Sequence, residues 1–380
     1  MNCEFWLEKI PECIESLRDN QQESIVELLQ SLAAENDEDP LYQFILGYLV
    51  VECPAYINCS ENRNEVSCNY LMSAGREQFM AADKFLIDRF LCLNLINPGH
   101  YEACAERLRA SQYLGGLYYE GYVYELNDFL KDLEASYTMY RVSAYRGYPE
   151  AFFRLGWFNS QGILVEPNQE KAAKYFYIAA KLGVALGCQN FGVRLKQGNG
   201  VPEDKLLARD YFRLGAELKN DICLNQYGLT LSDEEYGDVD EKASFDYFEK
   251  SAMTFYDTAL GNLARCYLLG FGVDKDLTRA YAIADFARKV EEPEGTQIAE
   301  HLEHQISSSE KQYAEEFQQS FWQRSIEYQH QLAVEELVDR LEEMHNFIQT
   351  PWEERQLEDA PRDIDEQDFI RPDLLGSFPY

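Results

Sequence analysis

The chain has 380 residues, of which 46% are hydrophobic, and its 67 acidic against 34 basic residues give a formal net charge of −33. This length allows a substantial core, arranged either as two ordinary domains or as one extended array. So acidic a surface excludes nucleic acids and anionic membranes as main partners, because phosphate binding needs clustered lysines and arginines. It favours a basic protein partner, unless the charge serves only solubility.

The N-terminal sequence and the cysteines predict a cytoplasmic protein. The segment "MNCEFWLEKIPECIESLRDN" lacks the basic start and apolar core of a signal peptide. The longest apolar stretch, "LYQFILGYLVV", is too short to span a bilayer. The ten cysteines include no CxxC pair, and Cys53, Cys59 and Cys68 have no histidine nearby to complete a zinc site. We therefore expect buried, reduced thiols and no membrane insertion.

Residues 1–108 are predicted to form an irregular helical region. The stretch "YQFILGYLV", centred on Leu46 and Gly47, is compatible with a decayed repeat of the kind that follows. Asn97, Pro98 and Gly99 predict a break in the chain before the regular array.

Residues 109–292 contain a repeated pattern. Four segments, starting at Ala151, Gly187, Cys223 and Ala259, follow one another at intervals of 36 residues, and a looser segment starts at Ala110. Their matching columns hold a large apolar residue, a small residue, a turn residue, a polar residue, a second small residue and an aromatic pair. In this order the columns are Leu155, Phe191, Tyr227 and Leu263; Gly156, Gly192, Gly228 and Ala264; Gly162, Gly198, Glu234 and Gly270; Asn168, Asp204, Asp240 and Asp276; Ala172, Ala208, Ser244 and Ala280; and Tyr175, Phe176, Tyr211, Phe212, Tyr247 and Phe248.

Each segment predicts two helices joined by a turn. The small residue beside the large apolar one lets a neighbouring helix approach closely, although glycine in a helix costs about 1 kcal/mol relative to alanine. The turn glycine permits positive φ where the first helix ends. The Asn or Asp is placed to cap the second helix, whose aromatic and small residues form a buried stripe. Because Glu234 and Gly237 occupy the turn of the third segment, we expect that turn to differ in shape.

The glycines of "GNG" at Gly198 resemble those of a phosphate-binding loop. Such a loop follows a strand and continues into Gly-Lys-Ser/Thr. Here no strand is predicted before the glycines, Val201 and Pro202 follow them, and the similar "GFGV" recurs near Gly270. The pattern favours a repeat turn.

These columns resemble the Sel1-like repeat, a relative of the tetratricopeptide repeat. The resemblance covers residues 110–290 and is clearest in the segment from Gly187. In the segment from Ala110, the second helix aligns from Ser136 to Gly147 after a loop with five extra residues. The resemblance implies an all-α protein, a right-handed α-solenoid of helix-turn-helix repeats that acts as an adaptor or scaffold without chemistry of its own.

Residues 293–350 are predicted to form one or two polar helices. Such helices cap the open end of a solenoid, although dimerisation through the same apolar stripe is the alternative. The stripe consists of Phe317, Phe321, Ile326, Leu332, Leu337 and Leu341. The acidic, proline-containing tail, residues 351–380, has the composition of a disordered segment, yet it ends in apolar residues that suggest a short binding segment. These are Phe369, Ile370, Leu374, Leu375, Phe378 and Tyr380.

Catalytic signals are weak. His301 and His304 are three residues apart beside Glu300, but the HExxH spacing of a metal site is absent, which favours a solvated helix face. No GxSxG, Cys–His or kinase signature occurs. The sequence therefore predicts no catalytic, metal-binding or cofactor-binding residue, and a protein that is not an enzyme.

The first functional hypothesis is a solenoid that binds another protein or a peptide on its hollow side. Positions two and six residues after each segment start are expected there, and Trp157 is either an exposed anchor or packed between repeats. The candidate contacts are Gln112, Gly116, Phe153, Trp157, Gln189, Val193, Asn225, Leu229, Gly261 and Arg265, with Lys196 one turn further on and the apolar tail residues in addition.

Two alternatives remain. The net charge of −33 suggests an immunity or inhibitor protein that neutralises a basic toxin or nuclease, in which case association depends steeply on salt. The second alternative is an enzyme whose active site lies in the N-terminal helices. A pocket there that contains His, Cys and carboxylate side chains would support it. The sequence leaves the oligomeric state open.

Overall fold

The computed structural model describes residues 3–19, 22–54, 56–57, 59, 61–93 and 96–350, and these residues contain helices and no strand. The prediction of an all-α protein is therefore confirmed. Two short 3₁₀ helices, Leu91–Leu93 and Glu234–Tyr236, accompany the α-helices. The α-helices of the described residues are α1 (Cys3–Arg18), α2 (Gln22–Asn36), α3 (Pro40–Glu52), α4 (Arg63–Arg76), α5 (Met80–Phe90), α6 (Pro98–Ala110), α7 (Gly116–Leu126), α8 (Leu133–Tyr145), α9 (Pro149–Gln161), α10 (Gln169–Lys181), α11 (Ala185–Gln197), α12 (Lys205–Glu217), α13 (Asp221–Leu231), α14 (Glu241–Met253), α15 (Asp257–Leu269), α16 (Leu277–Lys289), α17 (Pro293–Leu302) and α18 (Ser308–Gln349).

The chain divides into two compact units. Of the described residues, unit 1 contains those up to residue 151 together with residues 330–350, and unit 2 contains residues 152–329. Within unit 1, α3 to α7 each pack on the next helix of the chain, and within unit 2 the same holds for α10 to α16. Both units are therefore stacks of helices that are consecutive in sequence.

Helices α3 to α16 form seven successive pairs, and every pair ends in the same way. The second residue after each second helix has a positive φ, between 61° and 87°. Helices α3 and α4, like α5 and α6, thus follow the plan of the later repeats, although this region was expected to be irregular. The residues with positive φ are Gln78, Gln112, Gly147, Gly183, Lys219, Phe255 and Glu291.

A recurring hydrogen bond supports this assignment of the N-terminal pairs. The Ser67 hydroxyl of α4 donates to the Gly47 carbonyl of α3 at 2.7 Å. In unit 2 the Ser244 hydroxyl donates to the Gly228 carbonyl at 2.8 Å, between the two helices of the third repeat. The contact agrees with the interpretation of the stretch around Gly47 as a decayed repeat.

In three repeats a glycine of the first helix faces a phenylalanine of the second. A Cβ atom on any of these glycines would lie 2.8 Å from Cε1 of that ring, closer than packed carbon atoms approach. In the fourth repeat the same two positions hold Ala264 and Ala284, and both are fully buried. Compared with the other repeats, alanine replaces the glycine of the first helix and the phenylalanine of the second. The three glycine pairs are Gly156 with Phe176, Gly192 with Phe212 and Gly228 with Phe248.

The predicted helix caps are confirmed. Each capping side chain accepts a hydrogen bond of 2.9 Å from the backbone N–H three residues further on. The bond satisfies one of the N–H groups that the first turn of a helix leaves unpaired. The caps are Asn168 of α10, Asp204 of α12, Asp240 of α14 and Asp276 of α16.

Replacing Asp204 with alanine is expected to lower the free energy of unfolding by about 1 kcal/mol, because the Leu207 N–H loses its acceptor. Urea denaturation of the wild-type protein and the variant measures the loss. Asp204→Asn is the matched control, since asparagine caps as well as aspartate. An asparagine variant as unstable as the alanine variant would contradict the capping role.

The glycines of "GNG" form a turn, as predicted. Gly198 and Gly200, just after α11, have φ values of 65° and 78°, and a Cβ on Gly200 would overlap the Gln169 carbonyl of α10. Arg194 of α11 is buried beside this turn, and burial lowers its pKa. Its guanidinium donates to the Ser160 hydroxyl at 2.7 Å and to the Gln169 side chain at 3.0 Å, so it ties consecutive repeats together.

The turn of the third repeat differs from the others, as its sequence predicted. A 3₁₀ helix, Glu234–Tyr236, replaces the glycine turn, and Gly237 follows it with a φ of 112°. Tyr236 is buried. The residue types at this turn therefore change its backbone path without interrupting α14.

In unit 2, the residues after the fourth repeat share its core. Ile298 and Leu302 of α17, Ile306, and Phe321 of α18 belong to the same buried cluster as Leu263 of α15. Phe317 packs against this cluster. The first part of the predicted apolar stripe is thus buried against the last repeat.

In unit 1, the last described helical residues pack on helices from the beginning of the chain. The Tyr48 hydroxyl of α3 donates to the Ala333 carbonyl of α18 at 2.8 Å. Leu337 and Leu341 of α18 are fully buried. The second part of the predicted apolar stripe therefore belongs to the core of unit 1.

Unit 1 also contains a buried ion pair. Asp83 of α5 is 1% exposed, and its carboxylate accepts hydrogen bonds from the Arg107 guanidinium at 3.0 and 2.5 Å. Burial raises the pKa of Asp83, and the hydrogen bonds from Arg107 oppose that shift. A Cβ on Gly75 of α4 would overlap the Asp83 carboxylate, so this glycine makes room for the pair.

Candidate functional site

The candidate site in unit 2 is a row of side chains on the first helices of the four repeats, called here the first-helix face. Its members lie two and six residues after each repeat start, so the two on one helix are four residues apart and share a side of it. They are Phe153 and Trp157 on α9, Gln189 and Val193 on α11, Asn225 and Leu229 on α13, and Gly261 and Arg265 on α15.

The sixth positions are the more accessible ones. Trp157 is 39% exposed, while Val193 and Leu229 are half-buried. Arg265 is partly exposed and pairs with Glu294 of α17 at 2.9 Å. Lys196, near the end of α11, is exposed. The accessible row is therefore apolar in three repeats and charged in the fourth.

The second positions lie deeper. The Phe153 ring packs on the Phe176 ring with centroids 5.7 Å apart, and a Cβ on Gly261 would lie 2.6 Å from Glu292 Oε2. Asn225 is fully buried. The expectation that Asn225 lies on an accessible surface is wrong, because its amide is turned into a contact with the next repeat.

That contact is part of a chain of polar side chains along the array. The Asn262 side-chain amide donates to Asn225 Oδ1 at 2.8 Å, and the Arg265 guanidinium donates to Asn262 Oδ1 at 2.8 Å. Arg265 also donates to Glu294 at 2.9 Å. Asn225 and Arg265, which were predicted separately, are thus linked, but Asn262 and Glu294 were missed. Asparagine recurs three residues after the repeat start, at Asn190 and Asn262, and this recurrence could have indicated the role of Asn262.

Two amide atoms of the first-helix face have no hydrogen-bond partner among the described residues. They are Oε1 of Gln189 and Nδ2 of Asn225, which occupy the same position in consecutive repeats. A buried amide atom without a partner costs roughly 1–3 kcal/mol. On the first-helix face, the array therefore has one amide acceptor and one amide donor that its own side chains do not bind.

The looser segment from Ala110 was misaligned in its first helix. Ala110 ends α6 and Gln112 lies in the following turn with a φ of 61°, so Gln112 is not on a first helix. The glycine that faces the second helix is Gly121, whose carbonyl accepts from Ser136 at 2.8 Å. The repeat therefore starts six residues later than predicted, and Tyr118, not Gln112, occupies its second position.

The same correction removes Gly116 from the sixth position of the repeat. It is the first residue of α7, where a Cβ would lie 2.7 Å from the Arg109 backbone. Tyr122 occupies the sixth position instead, and its ring stacks on that of Tyr118 with centroids 5.8 Å apart. The predicted tail contacts lie outside the described residues: Phe369, Ile370, Leu374, Leu375, Phe378 and Tyr380.

The described residues offer little for catalysis. In this part of the chain no group of three or more His, Cys, Asp or Glu side chains could hold a metal ion. Burial raises the pKa of Cys188 and of Cys266 to about 11, so both thiols are protonated at neutral pH and unsuited to nucleophilic attack. None of the described helices is long and apolar enough to cross a membrane.

Comparisons with known proteins agree with this geometry. The Sel1 repeat family matches residues 149–184, 185–220, 223–253 and 258–283. The fold is similar to that of a protective antigen present in uropathogenic Escherichia coli strains, described as an SLR fold, with a TM-score of 0.55 and 18% identity over 91% of this chain and 69% of that one. A Sel1 repeat protein from Oxalobacter formigenes is 24% identical over 50% of this chain and 79% of its own, with a TM-score of 0.46.

No curated protein matches the chain. The four family matches begin within two residues of the starts predicted at Ala151, Gly187, Cys223 and Ala259. The repeats, the paired helices and the similar solved fold lead to one conclusion. The chain contains four Sel1 repeats, and its described residues have an α-solenoid fold.

Proposed function

We propose that this protein is a scaffold or adaptor that binds a partner protein or peptide on the concave surface formed by the first-helix face, and that it catalyses no reaction. The observation that carries the proposal is the exposed Trp157 at the head of an apolar row continued by Val193 and Leu229. Sel1 repeats generally mediate protein–protein interaction. The row provides an apolar centre, which is the usual core of a protein interface.

The surroundings of this row suit an interface. Lys196 and Arg265 supply charge at its edge, where polar contacts set orientation more than affinity. Phe153 lies one helical turn from Trp157, and its ring packs on that of Phe176. Large aromatic side chains such as Trp157 are common among the residues that dominate binding energy at interfaces.

Trp157→Ala is expected to weaken partner binding by about 2 kcal/mol, or roughly 30-fold, because it removes the aromatic anchor. The partner is isolated by affinity capture, and its affinity for the purified variants is then measured by calorimetry. Trp322→Ala is the matched control, since Trp322 is 46% exposed but lies on α18, away from the first-helix face. Equal losses in both variants, or none in Trp157→Ala, would contradict the proposed surface.

A second candidate function is the neutralisation of a basic protein, such as a toxin or nuclease, and the net charge of −33 favours it. In that case association slows steeply as salt increases, because long-range attraction steers the encounter. The scaffold proposal depends mainly on short-range contacts, so its association rate changes little with salt. Association rates at low and high salt therefore separate the two candidates.

Two further expectations belong to this proposal. We place the protein in the cytoplasm, where its free cysteines would stay reduced. Seven of the nine cysteines whose side chains the structure describes are buried. We also assign α17 and the start of α18 as the cap of the array, since Ile298, Leu302 and Phe321 join the core of the last repeat.

A further inference from the structure

Unit 1 contains a pocket of about 480 Å³ between α5, α7, the start of α9 and the C-terminal part of α18. This volume is within the range of small-molecule sites. Three tyrosines line it, Tyr113, Tyr119 and Tyr148, and each is less than 9% exposed. The pocket thus combines aromatic walls with charged side chains, and none of its residues belongs to the first-helix face.

One cation of the protein already lies among these rings. Lys84 is 7% exposed, and its ammonium lies 5.0 Å from the Tyr113 ring centre and 5.9 Å from that of Tyr119. The same ammonium forms an ion pair with Glu343. Aromatic faces attract cations through their quadrupole, so the rings of this pocket stabilise positive charge.

The charges of the pocket do not balance. Five carboxylates line it against the two cations Lys84 and Arg340. Arg340 pairs with Asp88 at 3.1 Å and with Glu336 at 2.8 Å. The excess of negative charge repels anions and favours a ligand with positive charge. The five carboxylates are those of Asp88, Glu150, Glu336, Asp339 and Glu343.

Glu150 is a further carboxylate of the pocket, and the positive charge of Lys84 stabilises its ionised form without an ion pair between them. It lies in the first turn of α9, and no other described residue donates a hydrogen bond to it or forms an ion pair with it. Burial raises the pKa of Glu150. The Glu150 side chain is partly exposed and lines the pocket, so its carboxylate is accessible to a cationic ligand.

The Tyr148 hydroxyl, two residues before Glu150, is similarly under-used. Tyr148 is 7% exposed, and its nearest polar partner is the Tyr113 hydroxyl at 3.4 Å, beyond the 2.5–3.0 Å of an ordinary O–H···O bond. The Tyr113 hydroxyl donates its proton to Glu343 at 2.7 Å. The Tyr148 oxygen therefore keeps its capacity to accept a hydrogen bond.

We propose that this pocket binds an organic cation with N–H donors, an alkylammonium or guanidinium group, that pairs with Glu150 and donates to the Tyr148 oxygen. Both groups accept hydrogen bonds, and a protonated amine or guanidinium offers only donors. The alkyl part of such a ligand packs on the tyrosine rings. The cation is either a lysine or arginine side chain of a partner or a free amine.

The test is a calorimetric titration of the full chain at low salt with four probes. Putrescine represents a free amine, and Nα-acetyl-lysine N-methylamide represents a side chain in a protein. Both are expected to bind, and the tighter of the two identifies the source. Tetramethylammonium, which has no N–H, is expected to bind at least several-fold more weakly, and acetate is expected not to bind. Absence of binding by both amines at millimolar concentration, or preferred binding of acetate, would overturn the proposal.

Three variants locate the site. Glu150→Gln is expected to weaken amine binding by about 10-fold or more, because it removes a charged hydrogen-bond acceptor. Tyr148→Phe is expected to weaken it several-fold, and the matched control Glu134→Gln, an exposed position of α8, is expected to leave it unchanged. Without amine, thermal unfolding of each variant is compared with that of the wild type, which separates a loss of binding from a loss of folding. Unchanged binding in Glu150→Gln and Tyr148→Phe would refute the site.

Discussion

Replacing Asp83 with alanine is expected to lower the free energy of unfolding by about 3–5 kcal/mol, the cost of leaving one member of a buried ion pair without its partner. Asp83 is 1% exposed and accepts two hydrogen bonds from Arg107. The Arg107 guanidinium, which also lies 3.3 Å from Cys104 Sγ, would lose its only carboxylate in this cluster. Urea denaturation gives the loss, and hydrogen exchange of the α5 and α6 amides locates it in unit 1.

Two comparisons test the cause of this loss. Asp246→Ala removes an exposed ion pair between residues four apart on α14, Lys242 and Asp246, and is expected to cost no more than about 0.5 kcal/mol. The double variant Asp83→Leu with Arg107→Met is expected to recover most of the loss, because it leaves no unpaired buried charge. If Asp83→Ala costs as little as Asp246→Ala, the pair is not an important contact of unit 1.

Phe248→Ala is expected to destabilise unit 2 by about 3–5 kcal/mol, because it empties a buried ring site between α13 and α14. The Phe248 side chain is 1% exposed and lies against Gly228. Gly228→Ala is expected to cost about 1–3 kcal/mol, since its Cβ would lie 2.8 Å from the ring and the better helix propensity of alanine offsets only about 1 kcal/mol. Thermal and urea unfolding measure both variants.

The double variant Gly228→Ala with Phe248→Ala is expected to lose less stability than the sum of the two single variants. Once the ring is absent, the added Cβ occupies part of its space and no longer clashes. The fourth repeat already has this combination in Ala264 and Ala284. The control is Ala264→Gly, which is expected to cost about 1–2 kcal/mol through its lower helix propensity and the loss of a buried methyl group. Strictly additive losses would show that the two positions do not interact.

The features of the fold that sequence predicted correctly are local. The cap at Asp204 and the turn at Gly198 involve residues that are close in the chain, and their chemistry restricts which residue types fit. A glycine turn permits positive φ, and an aspartate cap supplies an acceptor, so both recur as recognisable columns. The repeat starts could therefore be predicted to within two residues.

The N-terminal helix pairs escaped prediction for a physical reason. Their first helices, α3 and α5, are not followed by the glycine turn of the later repeats, since residues 53–62 and 91–97 contain no glycine. The consecutive glycines Gly115 and Gly116 imitate the small residue of the first helix, which is Gly121. Composition alone does not distinguish a glycine that begins a helix from one that packs against a neighbour.

The candidate sites were predictable only in part. Trp157 is accessible as its repeat position indicated, but the burial of Asn225 depends on Asn262, which lies 37 residues away. The pocket of unit 1 is lined by Lys84, Glu150 and Glu343, and the distances between these residues in the chain do not follow the repeat period. Contacts of that kind come from packing, which sequence columns do not contain.

The packing of the end of α18 on early helices has a consequence for synthesis of the chain. Lys84 and Glu343 are separated by 259 residues, and Tyr48 and Ala333 by 285. A ribosome that adds about 5–20 residues per second makes the second partner tens of seconds after the first. Unit 1 cannot complete its core until residues 330–350 have been made, whereas the repeats of unit 2 can pair as they emerge. Nascent chains should therefore depend on chaperones mainly at their N-terminal helices.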